Sequence, residues 1–239
     1  GGPMARSVYD VAVSLGVMAG VDRADPATKK SEGKFHKDYT QFLKSGALKG
    51  ARIGVARDFT GADPDVDWIF EAALKAMEKA GATLVEVRYP KWFLDSSRRA
   101  VYTLFPPEFR DQIGEYLKTT APQYPKSIEE LIERSYEYTS MGKDGAGPNP
   151  YRWAFFAERD IAHGTMTDPG YLALRDYYMP MTTAMVEGMF AKDNLDAIVY
   201  PTNMTRPDLI ASPPGVAIPT ATSPTGIANL TGFPDLIVP

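Results

Sequence analysis

The sequence predicts an α/β fold, and three observations carry that prediction. Apolar residues recur at helical spacing behind capping residues in several segments. Short β-branched apolar runs lie between those segments, and residues 51–87 join the two patterns as strand, helix, strand. The chain has 239 residues, of which 44% are hydrophobic, enough for a substantial core in a single α/β unit. Aromatic content of 11% and charged content of 23% argue against a disordered chain.

The elements follow in order. Val8, Val11, Ala12, Leu15, Met18 and Ala19 share one face of a helix, with Ser7 as its cap and Gly20 as a left-handed stop. Val21 to Gly46 is rich in Asp, Lys, Ser and Gly and contains Asp25-Pro26, the signature of an exposed connection whose Asp side chains serve turns. Residues 51–56 are a short apolar strand. Asp63-Pro64 then starts a helix with a capping carboxylate and a proline at a position where no N–H is needed. Its apolar face is Val66, Ile69, Phe70, Ala73, Leu74, Met77 and Ala80; Gly81 ends it, and Ala82 to Val87 reads as the next strand. A right-handed βαβ crossover is the expected topology.

Helical signals run from Pro106 to Tyr138, with Phe109, Ile113, Tyr116 and Leu117 on one face and a capping box at Ser127-Ile128-Glu129-Glu130. Met141 to Pro150 reads as a flexible loop, and Tyr151 to His163 as helix. Asp168-Pro169 starts a long helix to about Lys192, which Pro180 should kink or interrupt by removing a backbone hydrogen bond. Methionines 179, 181, 185 and 189 in this stretch suit either an adaptable binding wall or ordinary core filling. Strand 197–200 leads into Pro201-Thr202-Asn203-Met204, and prolines at 207, 213, 214, 219 and 224 imply a structured loop. The closing run Leu236-Ile237-Val238 reads as a strand apolar on both faces.

Several function classes are excluded by composition. A net charge of −4 without a run of Lys and Arg lacks the electrostatic footprint for nucleic acid. Cysteine is absent, which removes disulfides, thiolate metal sites and a cysteine nucleophile together and is compatible with a cytoplasmic setting. His36 and His163 belong to no HxxxH or HExxH pattern, so no metal site is expected. The glycines at 142, 145 and 147 lack phosphate-loop spacing, and no G-x-S-x-G elbow supports a Ser-His-Asp triad. No apolar stretch is long enough to span a bilayer.

Four motifs occur in a fixed order: Gly2-Pro3-Met4-Ala5-Arg6, Leu48-Lys49-Gly50-Ala51-Arg52-Ile53-Gly54-Val55, Leu195-Asp196-Ala197-Ile198-Val199-Tyr200-Pro201-Thr202, and Asn229-Leu230-Thr231-Gly232-Phe233-Pro234 leading to Val238-Pro239. Together they resemble the amidase signature family of serine-dependent amide hydrolases. Ala19 to Thr28 is similar to that family's AGxDxxDPxT segment, and residues 106–138 resemble its peptide-amidase-like branch more loosely. The resemblance implies a mixed β-sheet core covered by helices and hydrolysis of a carboxamide C–N bond through a seryl acyl-enzyme. It implies no metal and no organic cofactor. The expected partners are a small-molecule or peptide amide substrate.

The family's catalytic Ser-Ser-Lys set comes from segments that precede GPMAR, so residues 1–239 are expected to be one partial domain, truncated before residue 1 and after residue 239. The missing N-terminal segment of the same protein is then itself a partner; an upstream signal peptide stays open. Ser96-Ser97 is the only tandem serine and lacks the flanking glycines that would let N–H groups approach an oxyanion, so a helix start or surface pair is expected. No catalytic residue is assigned within the chain. Thr202 and Asn203, following a strand where family members approach substrate, are the candidate substrate-binding residues. They either line the leaving-group or acyl pocket or form a polar turn satisfying its own backbone. Asn229, Thr231 and Gly232 suit a helix cap and tight corner, and Arg6 and Asp10 a structural i, i+4 pair. The alternative function is a non-catalytic small-molecule-binding α/β module, motivated by the βαβ unit.

Overall fold

The computed structural model describes residues 2–140, 164–207 and 224–238. The loop and helix expected over 141–163, and most of the proline-rich loop, lie outside the described residues. Helix α1 (Val8–Met18) is capped by the Ser7 hydroxyl, which accepts from Asp10 N–H. It ends on Ala19 in extended backbone, and Gly20, at φ 154°, does not supply the left-handed stop. Only Ala12 of its apolar face is buried. The expected Arg6–Asp10 pair is replaced by a local one, in which the Asp10 carboxylate accepts from Ser7 Oγ at 2.7 Å. The connection that follows carries short 3₁₀ turns, and Asp22 and Asp25 each accept a backbone N–H two residues on, the turn chemistry expected of them.

Strand β1 (Arg52–Ala56), helix α2 (Pro64–Lys79) and strand β2 (Thr83–Val87) form the strand–helix–strand unit. Asp63 caps α2 by accepting from Asp65 N–H, and Phe70 and Leu74 are its buried anchors. Ile69 departs from the expected face and is 62% exposed. Strand β3 (Ala197–Val199) completes a sheet of order β2-β1-β3 in which β1 pairs parallel with both neighbours; Gly54 lies opposite Val85 on one side and Ile198 on the other.

Both faces of this sheet are covered, as parallel sheets require. Val55 packs with Phe70 and Leu74 of α2 on one face. On the other, Ala56 and Val87 join Phe59, Tyr89, Phe93, Ala100, Leu104, Tyr171, Val186, Leu195, Ile227 and Leu230 in the main core. That cover comes from α3 (Lys91–Lys118), α5 (Pro169–Ala173), α6 (Met179–Asp193) and α7 (Gly226–Thr231); α4 (Ile128–Ser140) packs beside α3.

Three elements differ from expectation for identifiable reasons. Helix α3 starts at Lys91, well before Pro106, because burial of Phe93, Ala100 and Leu104 holds that stretch helical and the helix continues through Pro106 and Pro107. Ser96 and Ser97 therefore sit inside a helix, and Ser97 is buried rather than a surface residue. Upstream of Pro180 the helix does not break; it widens into a π-turn over Leu174–Tyr178, which accommodates the proline's missing N–H. Leu236, Ile237 and Val238 form no strand and are all more than half exposed, since they pair with none of the three described strands.

Candidate functional site

Parallel strands deliver their carboxy-terminal ends to one edge, and ligands of α/β sheets bind there. Here that edge collects Arg57-Asp58-Phe59 after β1, Arg88-Tyr89-Pro90 after β2, and Tyr200 to Asn203 after β3. Phe59 stands at the centre, its ring 5.8 Å from Tyr89 and 5.7 Å from Tyr200, and is 1% exposed. Tyr89 continues to Phe93 at 5.6 Å, and Phe93 to Trp92 at 6.0 Å. Asp58 ties two segments together by accepting from Tyr89 N–H at 2.9 Å. Burial, with the carboxylate of Asp235 beside and hydrogen-bonded to its hydroxyl, pushes Tyr200 up to about 12; burial likewise pushes Tyr89 up.

Thr202 and Asn203 lie on this edge, immediately beyond β3, with Thr202 half-buried and Asn203 exposed. Neither side chain makes a hydrogen bond with the described residues. A polar turn closing on its own backbone would show such bonds, and among the described residues none is present. Their loop is fixed three residues on. Arg206 donates to Asp63 Oδ2 through its N–H at 3.2 Å and its Nε at 2.9 Å, while its Nη1 reaches Asp65. Chiefly through the Arg206 N–H, with help from Asp65 N–H and the guanidinium, Asp63 is held below the usual carboxylate range against the effect of burial. One carboxylate thus caps α2 and anchors the loop carrying Thr202.

The other sequence candidates resolve structurally. Gly232, at φ 72°, is the left-handed cap of α7; Thr231 is buried with its hydroxyl on Ile227 O, and Asn229 is exposed. Thr183 Oγ1 donates to Thr231 O at 3.0 Å, supplying an end carbonyl of α7 with a partner from α6. Met179, Met185 and Met189 pack against the main core, while Met181 is 48% exposed, so three of the four serve core packing. His36 is packed edge-on to Tyr39 and Phe42. Among the described residues no group of three or more His, Asp or Glu side chains is placed to hold a metal ion, and no helix is long and apolar enough to cross a membrane.

Sequence reasoning missed the aromatic lining of this edge and the partnership of Ser96 with Tyr178. Their hydroxyls lie 2.7 Å apart, and the Tyr178 ring stands 6.0 Å from Trp92, nearly perpendicular to it. The residues are 82 positions apart, so no local pattern joins them. One signal was present: Tyr-Pro follows β2 and, in the third LDxxxxPT-type motif, β3 as well, placing a tyrosine at two strand ends of the same sheet. A separate shallow cleft of about 400 Å³ lies between α3, α4 and residues 164–166, with the Arg110–Glu129 ion pair at its rim.

The parallel sheet covered by helices on both faces defines an α/β protein, and comparison with known proteins gives its family. The Amidase family model matches residues 1–239, and the chain belongs to that family. A peptide amidase solved with the competitive inhibitor chymostatin superposes with a TM-score of 0.73 at 27% identity, covering 97% of this chain and 45% of that one. Native peptide amidase from Stenotrophomonas maltophilia gives 0.66 at 28% identity, over 84% of this chain and 41% of that one. Among curated relatives, the A subunit of glutamyl-tRNA(Gln) amidotransferase from Cupriavidus taiwanensis is 38% identical over 175 residues, 69% of this chain and 34% of that protein. Its counterpart from Caldanaerobacter subterraneus subsp. tengcongensis is 27% identical across the whole chain and 47% of its own length. The chain therefore spans less than half the length of these relatives.

Proposed function

We propose that the protein hydrolyses a carboxamide C–N bond to a carboxylate and ammonia or an amine, and that residues 1–239 supply scaffold and one wall of the substrate cleft. The carrying observation is Thr202 and Asn203. They stand at the carboxy-terminal sheet edge within the LDxxxxPT-type motif and just after it, anchored by Arg206 and without hydrogen bonds to the described residues. In this reading their polar atoms meet the carboxamide or its leaving group. A serine from the segment that the family pattern places before GPMAR adds to the carbonyl carbon, and the second serine and lysine of that set carry its proton to the departing nitrogen. Water then adds to the acyl-serine ester, releasing the acid and returning the proton to the serine. The chain's own part is to bind and orient the amide, and by itself it is inactive. The substrate is a small-molecule or peptide amide, the reaction needs no metal or organic cofactor, and the site of action is the cytoplasm.

The test is ammonia and amine release by the full-length protein from a panel of simple carboxamides and C-terminal peptide amides. Release that falls on Thr202→Ala and Asn203→Ala supports the assignment. A full-length protein releasing nothing from the panel overturns the reaction. Release by residues 1–239 alone would instead place the chemistry inside this chain.

A further inference from the structure

Helix α2 turns Phe70 and Leu74 toward the sheet, and its opposite side is apolar as well. Trp68 is 73% exposed and Ile69 62%, and Ala72, Ala73 and Ala76 beyond them are exposed too. A helix lying on a sheet ordinarily keeps its solvent side polar, so five apolar residues there make a face without cover among the described residues. With 3.6 residues per turn, Asp65, Trp68, Ala72, Ala76 and Lys79 fall within about 80° of arc along the helix. The two ends of this strip differ in charge. At the amino end Asp63 and Asp65 outnumber the one arginine, Arg206, that binds both; at the carboxyl end are Lys75 and Lys79, and Lys79 makes no ion pair among the described residues. Reversed end to end, the strip is complementary to itself. Asp65 and Lys79 stand equally far either side of Ala72, as do Trp68 and Ala76.

We propose that this face of α2 is a self-association surface, and that its occupant is α2 of a second copy of the protein, antiparallel and related by a two-fold axis at Ala72. Such an axis brings the same patch together on both copies, so each contact is made twice. The acidic end of each helix meets the lysine end of the other, and each indole lies over the exposed alanines opposite. Alanines at the crossing let the helix axes approach to the short end of the usual range of about 8–10 Å. The helix dipoles are also opposed, which favours this sense of pairing. One helix face about 24 Å long and about 10 Å wide buries less than the roughly 800 Å² per copy of a standard interface, so the association is weak, with dissociation in the micromolar range. Lys79 of the second copy meets the carboxylate that Arg206 also reaches, so the surface borders the clasp of the Thr202 loop. The inference does not rest on the proposed hydrolysis.

The experiment is sedimentation velocity of the full-length protein from about 1 to about 200 µM, a range that spans the expected dissociation constant. The wild type should pass from monomer to dimer as concentration rises. Trp68→Ala should weaken the dimer by about 10-fold or more, as loss of a central tryptophan does. Lys79→Glu and Asp65→Lys each set like charges against one another at both ends of the pair, and each should weaken it by about 10-fold. An equimolar mixture of these two variants restores opposite charges at both ends and should associate within about 3-fold of the wild type. Asp65 and Lys79 are about 21 Å apart on one helix, so rescue by mixing reports contact between copies rather than repair within one. A variant that had lost its fold would not be rescued. A wild type that stays monomeric at about 200 µM overturns the proposal, with α2 then covered by the rest of its own polypeptide or meeting a different protein. Association untouched by Trp68→Ala, or a mixture without rescue, overturns it too, since the copies then meet through another surface or in another orientation. Ammonia release is scored separately, so its absence bears on the hydrolase reading alone.

Discussion

Gly54 is the residue at which the packing of this fold is most sharply testable. It sits in the central strand, and a methyl group added there would lie 2.9 Å from Leu195 Cδ1, 3.1 Å from Ile198 Cγ1 and 3.3 Å from Val87 Cγ1. Carbon atoms in contact prefer about 3.5–4.0 Å, so all three side chains, each in or packed against the main core, must give way. Overpacking of this kind costs about 1–3 kcal/mol. Replacing glycine also removes freedom from the unfolded chain, which returns about 0.4–1 kcal/mol. Gly54→Ala should therefore destabilise by about 1–2 kcal/mol, a fall in Tm of about 2–8 °C for a chain of this size. The assay is urea unfolding with the midpoint compared at constant slope. Leu195→Ala removes the nearest methyl, so the double variant should lose less than the sum of the singles, with a coupling of at least about 0.5 kcal/mol. A Gly54→Ala midpoint equal to or above the wild type would refute the close approach of Leu195 to β1.

Three further outcomes follow from this edge of the sheet. Arg206→Ala releases the loop of Thr202 from the cap of α2 and should lower kcat/KM of the full-length enzyme by about 10- to 100-fold, the cost of misplacing a positioning group by about 1 Å. Unchanged kinetics would remove Arg206 from any positioning role. Because Asp63 is held below its ordinary 3.8, its contribution to stability is complete above that value and is lost as pH falls through the folded pKa. Asp63→Asn should accordingly flatten the acid limb of a stability–pH curve, and an unaltered limb would count against the clasp. For Tyr200 the sign is opposite: with a folded pKa of about 12 against an ordinary 10.0, its contribution is complete below pH 10 and disappears as pH rises toward 12. Asp235→Asn removes two of the causes that raise it, so ultraviolet titration should show one tyrosine ionising earlier. A titration that does not move would show that burial alone sets the value.

Legibility in the sequence divides along the range of the interactions. The βαβ unit, the cap at Asp63, the box at Ser127 and the corner at Gly232 were readable because each is decided within a few residues. Even there a detail escaped: Glu130 closes its box on the N–H of Lys126 rather than on that of Ser127. Long-range packing overrode local signals elsewhere. A Pro106-Pro107 pair ordinarily starts a helix, yet Phe93 and Leu104 are buried on the same element and carry it through. Thr202 and Asn203 could be nominated because a motif contains the first and adjoins the second, whereas Arg206–Asp63 spans 143 positions and Ser96–Tyr178 spans 82. A single sequence holds no pattern that joins such pairs.

The architecture of the edge explains why two polar side chains without hydrogen bonds among the described residues can be a functional feature rather than a defect. Polar groups beside a packed core are normally satisfied, because leaving them unmade costs about 1–3 kcal/mol each. Thr202 avoids that cost only while it faces water or a ligand, so its loop must be kept from folding back onto the core. Two contacts hold the segment, one at each end. At its start, Tyr200 is packed on Phe59, which packs in turn on Tyr89, and the Tyr200 hydroxyl is occupied by Asp235. Beyond it, Arg206 pulls the chain outward to the start of α2. Tyr200 and Arg206 thus hold residues 200–206 at both ends. Orientation prepared in this way lowers the entropy that binding must overcome, and under the proposed function the part of residues 1–239 is positioning of the amide.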